Sequence, residues 1–262
     1  LWYNYNIQKK NILKLKQVDC TGQTQQRGDD VMKKMVLVLG LMLCFGLALE
    51  AQVNFKQAID EGTKKMKVRE PDFAAARADF TKALELASND SEKTLATINI
   101  ADTYYRGREY EKARAEDAKI LGIKGSTAKQ KIDAQFRIAE SFMGYRFQEK
   151  PDYARSRAEY AKVLNMEGAT PDDKAKAVFG MGDSYATEKK YAQARAEYAK
   201  IVQMKDIKPE MKVEAQYNIG ADYRAEGNFD MAKAEWAKIL KMDEATPEYK
   251  EKVEQRIRTV YW

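Results

Sequence analysis

Apolar residues recur along most of this chain at the spacing of a helix, and the alternation of a strand does not fit the strings that repeat. In the stretch from Tyr191 to Val202, Tyr191, Ala194, Tyr198, Ile201 and Val202 fall on one face at 3.6 residues per turn. Polar residues fill the gaps, with Glu197 and Lys200 one turn apart, and Arg195, Glu197 and Lys200 are expected to face water. The same pattern returns as ARADFTKAL from Ala76, ARAEDAKIL from Ala113, SRAEYAKVL from Ser156 and AKAEWAKIL from Ala232. With the basic residue as marker (Arg77, Arg114, Arg157, Arg195, Lys233), the intervals are 37, 43, 38 and 38 residues.

A second helical string precedes the first: INIADTY from Ile98, FRIAESF from Phe136, FGMGDSY from Phe179 and YNIGADY from Tyr217. Each repeat therefore predicts two helices. The long interval of 43 residues comes from five extra residues near RFQEKP, between Phe142 and Tyr153.

Helix starts are written in the punctuation. Thr170-Pro171-Asp172-Asp173 and Thr246-Pro247-Glu248 put a hydroxyl cap, a proline whose missing N–H costs nothing in the first turn, and carboxylates at the positive end of the helix dipole. Pro209-Glu210 repeats part of this, while Pro71-Asp72 and Pro151-Asp152 open the partner helices of their repeats, so all five prolines mark helix beginnings. Five helix pairs are predicted, followed by a closing helix from about Pro247, whose Val253, Ile257 and Tyr261 repeat Ala215, Ile219 and Tyr223.

These strings resemble the tetratricopeptide repeat (TPR). Its pattern is a large apolar residue, a small one, and an aromatic three further on, then a small residue with an aromatic four later. Met181-Gly182 with Tyr185, Ile219-Gly220 with Tyr223, Ile100-Ala101 with Tyr104 and Ile138-Ala139 with Phe142 match its first half. Ala76 with Phe80, Ser156 with Tyr160, Ala194 with Tyr198 and Ala232 with Trp236 match its second. There are departures: Asp117 replaces an aromatic, and Thr97, Gln135, Val178 and Gln216 stand where a tryptophan often opens the repeat. The resemblance covers about residues 53–262. It implies an all-α fold, a right-handed α-solenoid of TPR-like helix pairs with a C-terminal closing helix, in which Tyr198 and Trp236 fill the space between helices.

The first fifth of the chain is different. Residues 1–31 show no sustained period and are expected to be disordered, an over-extended reading frame ahead of Met32. MKKMVLVLGLMLCFGLALEAQ from Met32 has the layout of a signal peptide over 32–51: Lys33 and Lys34, an apolar run from Met35 to Leu49, and Ala51 before Gln52. The run is short for a membrane span, which needs roughly 18 residues or more. A lipoprotein anchor on Cys44 is disfavoured because the bulky Leu43 precedes it. The mature chain, 52–262, is then expected in the periplasm or outside the cell. Removing residues 1–51 takes seven of the 46 Lys/Arg and four of the 40 Asp/Glu, which lowers the formal net charge from +6 to +3. The remaining charges are interspersed, which reads as solvated helix faces rather than a nucleic-acid footprint.

Chemistry has little to stand on. The chain has no histidine, and its two cysteines, Cys20 and Cys44, precede Gln52. No enzyme activity, metal or cofactor is expected. Asp102, Glu140 and Asp183 recur once per repeat, but as a spaced column rather than a catalytic pair across a cleft. The resemblance instead implies partner binding. In TPR proteins the first helix of each pair lines a concave groove, which here would present Phe136, Phe179 and Tyr217 with Asp102, Glu140 and Asp183 one turn on. Such an aromatic, acidic groove suits a basic or aromatic-rich protein or peptide and opposes RNA. The competing reading is a structural spacer in a cell-envelope assembly with no groove ligand.

Overall fold

A computed structural model of the chain describes residues 23–144 and 150–260. The five extra residues after Phe142 fall largely outside this range, as do Tyr261 and Cys20. The chain divides into two compact units, Leu1–Val53 and Asn54–Trp262. In the first, the described residues are helical from Gln23 onward, within α1 (Gln23–Met66), so the last residues of the segment expected to be disordered lie in a helix. Met32, Met35, Val36, Leu37 and Val38 there are exposed, and among the described residues no helix is long and apolar enough to cross a membrane.

Among the described residues of the second unit, the regular elements are all helices. After the end of α1 come α2 (Phe73–Leu86), α3 (Asp90–Arg106), α4 (Tyr110–Gly122), α5 (Ala128–Ser141), α6 (Tyr153–Val163), α7 (Pro171–Thr187), α8 (Tyr191–Gln203), α9 (Pro209–Ala225), α10 (Phe229–Ile239) and α11 (Pro247–Arg258). From α2 onward each helix packs on the next in chain order. Among the described residues these helices fall into pairs followed by a closing helix, with the end of α1 as the first member.

The caps explain where the helices begin. Thr170 accepts from the Asp173 backbone N–H, and the Asp173 carboxylate accepts from the Thr170 N–H, a capping box. Thr127 and Gln130 form another, and Thr246 accepts from the Tyr249 N–H. Pro71 and Pro151 stand one residue outside, where Asp72 and Asp152 supply the caps.

The core lies between helices of a pair and between successive pairs. Trp236 (1% exposed) and Tyr198 (2%) are buried, as the small-plus-aromatic pattern requires. Each sits on a glycine of the preceding helix. A Cβ on Gly182 would lie 2.5 Å from the Tyr198 ring, and one on Gly220 would lie 2.4 Å from Trp236 Nε1. That closeness lets Trp236 Nε1 donate to the Tyr217 carbonyl at 2.9 Å. Ser156 is small for the same purpose, and its hydroxyl reaches the Ala139 carbonyl at 2.9 Å.

The marker arginines do not face water, contrary to the sequence reading. Arg77, Arg114, Arg157 and Arg195 each lie over an aromatic ring of the next repeat, Tyr104, Phe142, Tyr185 and Tyr223, at 3.7, 4.5, 4.0 and 3.9 Å from the ring centre. Three of them also pair with a carboxylate just beyond that ring: Arg77 with Glu109 (2.9 Å), the N-cap residue of α4, and Arg157 and Arg195 with Glu188 (2.8 Å) and Glu226 (2.7 Å), the C-cap residues of α7 and α9. Arg77, Arg114 and Arg157 donate to the buried hydroxyls of Thr103, Ser141 and Ser184. Guanidinium suits the place because it stacks, forks and is weakly hydrated. Glu197 is mostly covered as well, and of the three residues expected to face water Lys200 alone stands clear in solvent. A helical wheel with one apolar face misses this, because second helices of a stacked array are covered from two sides.

The departures from the repeat pattern also have partners. Asp117 is buried, and Arg137 of the next repeat donates to it from Nε and Nη2. Gln135 and Gln216 use their amides to donate to Glu159 and Glu235, each to the backbone carbonyl and to the carboxylate.

Candidate functional site

The first helices of the later pairs form a continuous wall, since α5 touches α7 and α7 touches α9 directly. Asp102, Glu140 and Asp183 hold one register position on α3, α5 and α7, and Phe136, Phe179 and Tyr217 another on α5, α7 and α9.

The six candidate residues do not share one environment. Asp183 is exposed at its rim, and the Tyr198 hydroxyl donates to its Oδ1 at 2.6 Å. Protein crowding around the carboxyl removes water and pushes its pKa above the usual carboxylate range, while the hydrogen bond from Tyr198 acts the other way. Burial likewise raises Glu140, with Lys176 and Arg137 opposing. Its nearest cation, Lys176 Nζ, is 3.9 Å away. Asp102 is about half exposed and meets Arg106 only at 4.0 Å. These carboxylates are thus weakly neutralised by the protein itself.

Phe179 and Tyr217 are half-buried. Phe179 leans on Tyr198 (5.8 Å between ring centres), and Tyr217 stacks on Trp236 (5.6 Å) with Tyr249 at its edge. Phe136 does not line the wall as expected. It is 2% exposed, held against Tyr160 and capped by Lys176 Nζ at 4.1 Å from the ring centre. Its register position is the same, but the lysine of the next repeat covers it, and the residue equivalent to that lysine one repeat on is Glu214.

The sequence reading missed the end of the wall. Tyr217, Tyr249, Lys252, Val253 and Arg256 surround a cleft of about 430 Å³ between α9 and α11, and Arg256 Nε donates to the Tyr217 hydroxyl at 3.2 Å. The wall is therefore acidic along α3, α5 and α7 and cationic at α11. The signal was present in the closing helix, where Lys252 and Arg256 stand one turn apart on one face. Among the described residues, no group of three or more His, Cys, Asp or Glu is arranged to hold a metal ion.

No protein-family model matches the sequence, and no curated protein matches it. Solved structures do. The apo form of RapI aligns with a TM-score of 0.64 at 15% identity, over 81% of this chain, and this chain spans 60% of the length of RapI. MamA aligns with a TM-score of 0.50 at 18% identity, over 75% of this chain and 95% of MamA. A thermophilic TPR protein of Thermus thermophilus aligns over 79% of this chain and 98% of its own, with a TM-score of 0.42 at 18% identity. At these identities the likeness is one of fold, and the chain has the fold of the tetratricopeptide-like proteins, a solenoid of helix pairs packed in sequence order.

Proposed function

We propose that this protein is an exported, non-catalytic adaptor that holds a protein or peptide partner against the wall of its first helices. The observation that carries this reading is the set of carboxylates at Asp102, Glu140 and Asp183. They recur at one register position, and among the described residues the cations beside Asp102 and Glu140 stand off at 4.0 and 3.9 Å. Lys or Arg side chains of a partner are their natural complement, with Phe179 and Tyr217 offering ring faces nearby. The cationic cleft at α11 sets a polarity, so the partner's basic stretch lies along α3 to α7.

Export rests on the layout of residues 32–51 and on where packing starts. The described apolar side chains from Met35 to Val38 are exposed, whereas Phe55 and Ala58 enter the core with Ala83 and Ala96. Cleavage after Ala51 removes the first group and keeps the second. The mass of the protein recovered from its native cell tests this: a chain beginning at Gln52 supports export, and one retaining residues 32–51 opposes it.

The adaptor is tested by cross-linking in the cell envelope with the natural protein and with Asp102→Asn, Glu140→Gln and Asp183→Asn combined. Loss of one cross-linked partner, with the helical content unchanged, supports the groove. Retention of every partner favours the spacer.

A further inference from the structure

One buried titratable group has no part in the wall. Asp222 on α9 is 6% exposed, and its Oδ2 is fully enclosed, with no hydrogen-bond partner among the described residues. Its register position is that of Thr103 on α3, Ser141 on α5 and Ser184 on α7. In those helices a small hydroxyl receives the arginine of the preceding repeat. At the α8–α9 joint that hydroxyl is replaced by a carboxylic acid, and Arg195 is engaged elsewhere, with Glu226 at 2.7 Å and over the Tyr223 ring.

We propose that the α8–α9 joint is a proton-operated hinge in the array, closed when Asp222 is neutral and loosened when it ionises. A neutral carboxyl can stay in a site built for a hydroxyl. An ionised one must take up water or draw Arg195 from Glu226, because an unpaired buried carboxylate is costly. Arg195 and Tyr223 also line a cleft of about 450 Å³, which gives the Arg195 side chain room to move. The charged groups acting on Asp222 are Arg195 from α8, Glu226 from its own helix and Asp183 from α7, and the Tyr198 phenol of α8 lies within its field. Burial pushes the Asp222 carboxyl up to about 7, with Arg195 opposing and Glu226 and Asp183 adding to the rise. The hinge therefore works near neutral pH.

The sign follows from linkage. An unfolded aspartate titrates near about 4, so between there and about 7 the folded protein binds the extra proton. Stability contributed by Asp222 falls as pH rises through that window and is level above it.

The test compares the thermal midpoint of the natural protein with those of Asp222→Asn and Asp222→Ser, the latter copying Ser184, across about pH 4 to pH 8.5. The variants' midpoints should gain on the natural protein as pH rises to about 7 and then keep a constant lead. Native-state hydrogen exchange should localise the effect. At the alkaline end, α9 to α11 should lose protection relative to α3 and α4 in the natural protein and not in the Ser variant. A gap between variant and natural protein that does not change with pH overturns the proposal, even if both variants are weakened. A pH-dependent gap with uniform loss of protection along all helices also overturns it, since the joint would then not be a hinge.

Discussion

At the scale of single residues, the positions that repeat most faithfully act between repeats. Arg157 illustrates this: it is mostly covered, stacks on Tyr185, donates to Ser184 and pairs with Glu188, all in the following pair of helices. Arg157→Met keeps the stem but leaves the Glu188 and Ser184 contacts unmade, and should lower stability by about 1.5–3 kcal/mol in urea unfolding. Arg157→Lys should recover only part of that, because an ammonium neither stacks nor forks. The repetition of this arginine is plain in the sequence, but its direction is not. The helix period reports which side carries apolar residues, and says nothing of a long charged stem that crosses to the next repeat. A smaller effect belongs to the turns. Lys189 has φ of 62°, in a turn where the equivalent residue of the next repeat is Gly227 at 80°. The left-handed region costs a side-chain-bearing residue roughly 1–2 kcal/mol, so Lys189→Gly should raise the thermal midpoint.

At the scale of helices, the stacking of one on the next is set by a glycine under a ring. Gly182→Ala improves helix propensity by up to about 1 kcal/mol. Its new Cβ would nevertheless stand 2.5 Å from a Tyr198 ring that is packed among Val178, Ile201 and Ile219 and cannot yield freely. Overpacking costs about 1–3 kcal/mol, so the variant should be less stable in denaturant despite the better propensity. Tyr198→Ala, the opposite error, should cost about 3–5 kcal/mol. Tyr198→Phe should cost much less, because only the bond to the half-solvated Asp183 is lost. These pairings are legible in the sequence because the small residue and its aromatic lie within one repeat. The role of Gln135 is not, because an apolar pattern does not report its polar bond to Glu159, and that of Asp117 is not, because its partner Arg137 comes from the next repeat. The burial of Phe136 is hidden for the same reason, because Lys176 comes from the next repeat to cover it.

At the scale of the whole Asn54–Trp262 unit, each helix meets its chain neighbours, and the main longer-range contacts between elements join α5 to α7 and α7 to α9. Stability in such an array is close to a sum of repeat and nearest-neighbour contributions, so damage should stay local. Trp236→Ala is the sharpest probe, because Trp236 bridges α9 and α10 through its ring, its bond to the Tyr217 carbonyl and its core with Val253. Hydrogen exchange under native conditions should show α9, α10 and α11 losing protection, while α2, α3 and α4 keep theirs. The wall would then lose Tyr217 and the α11 cleft before it lost the Asp102 end, so a partner gripping both ends would be released at one end first. Equal loss of protection from α2 to α11 would mean that the arginine staples couple the repeats into one cooperative body. In that case the groove could only be present or absent as a whole.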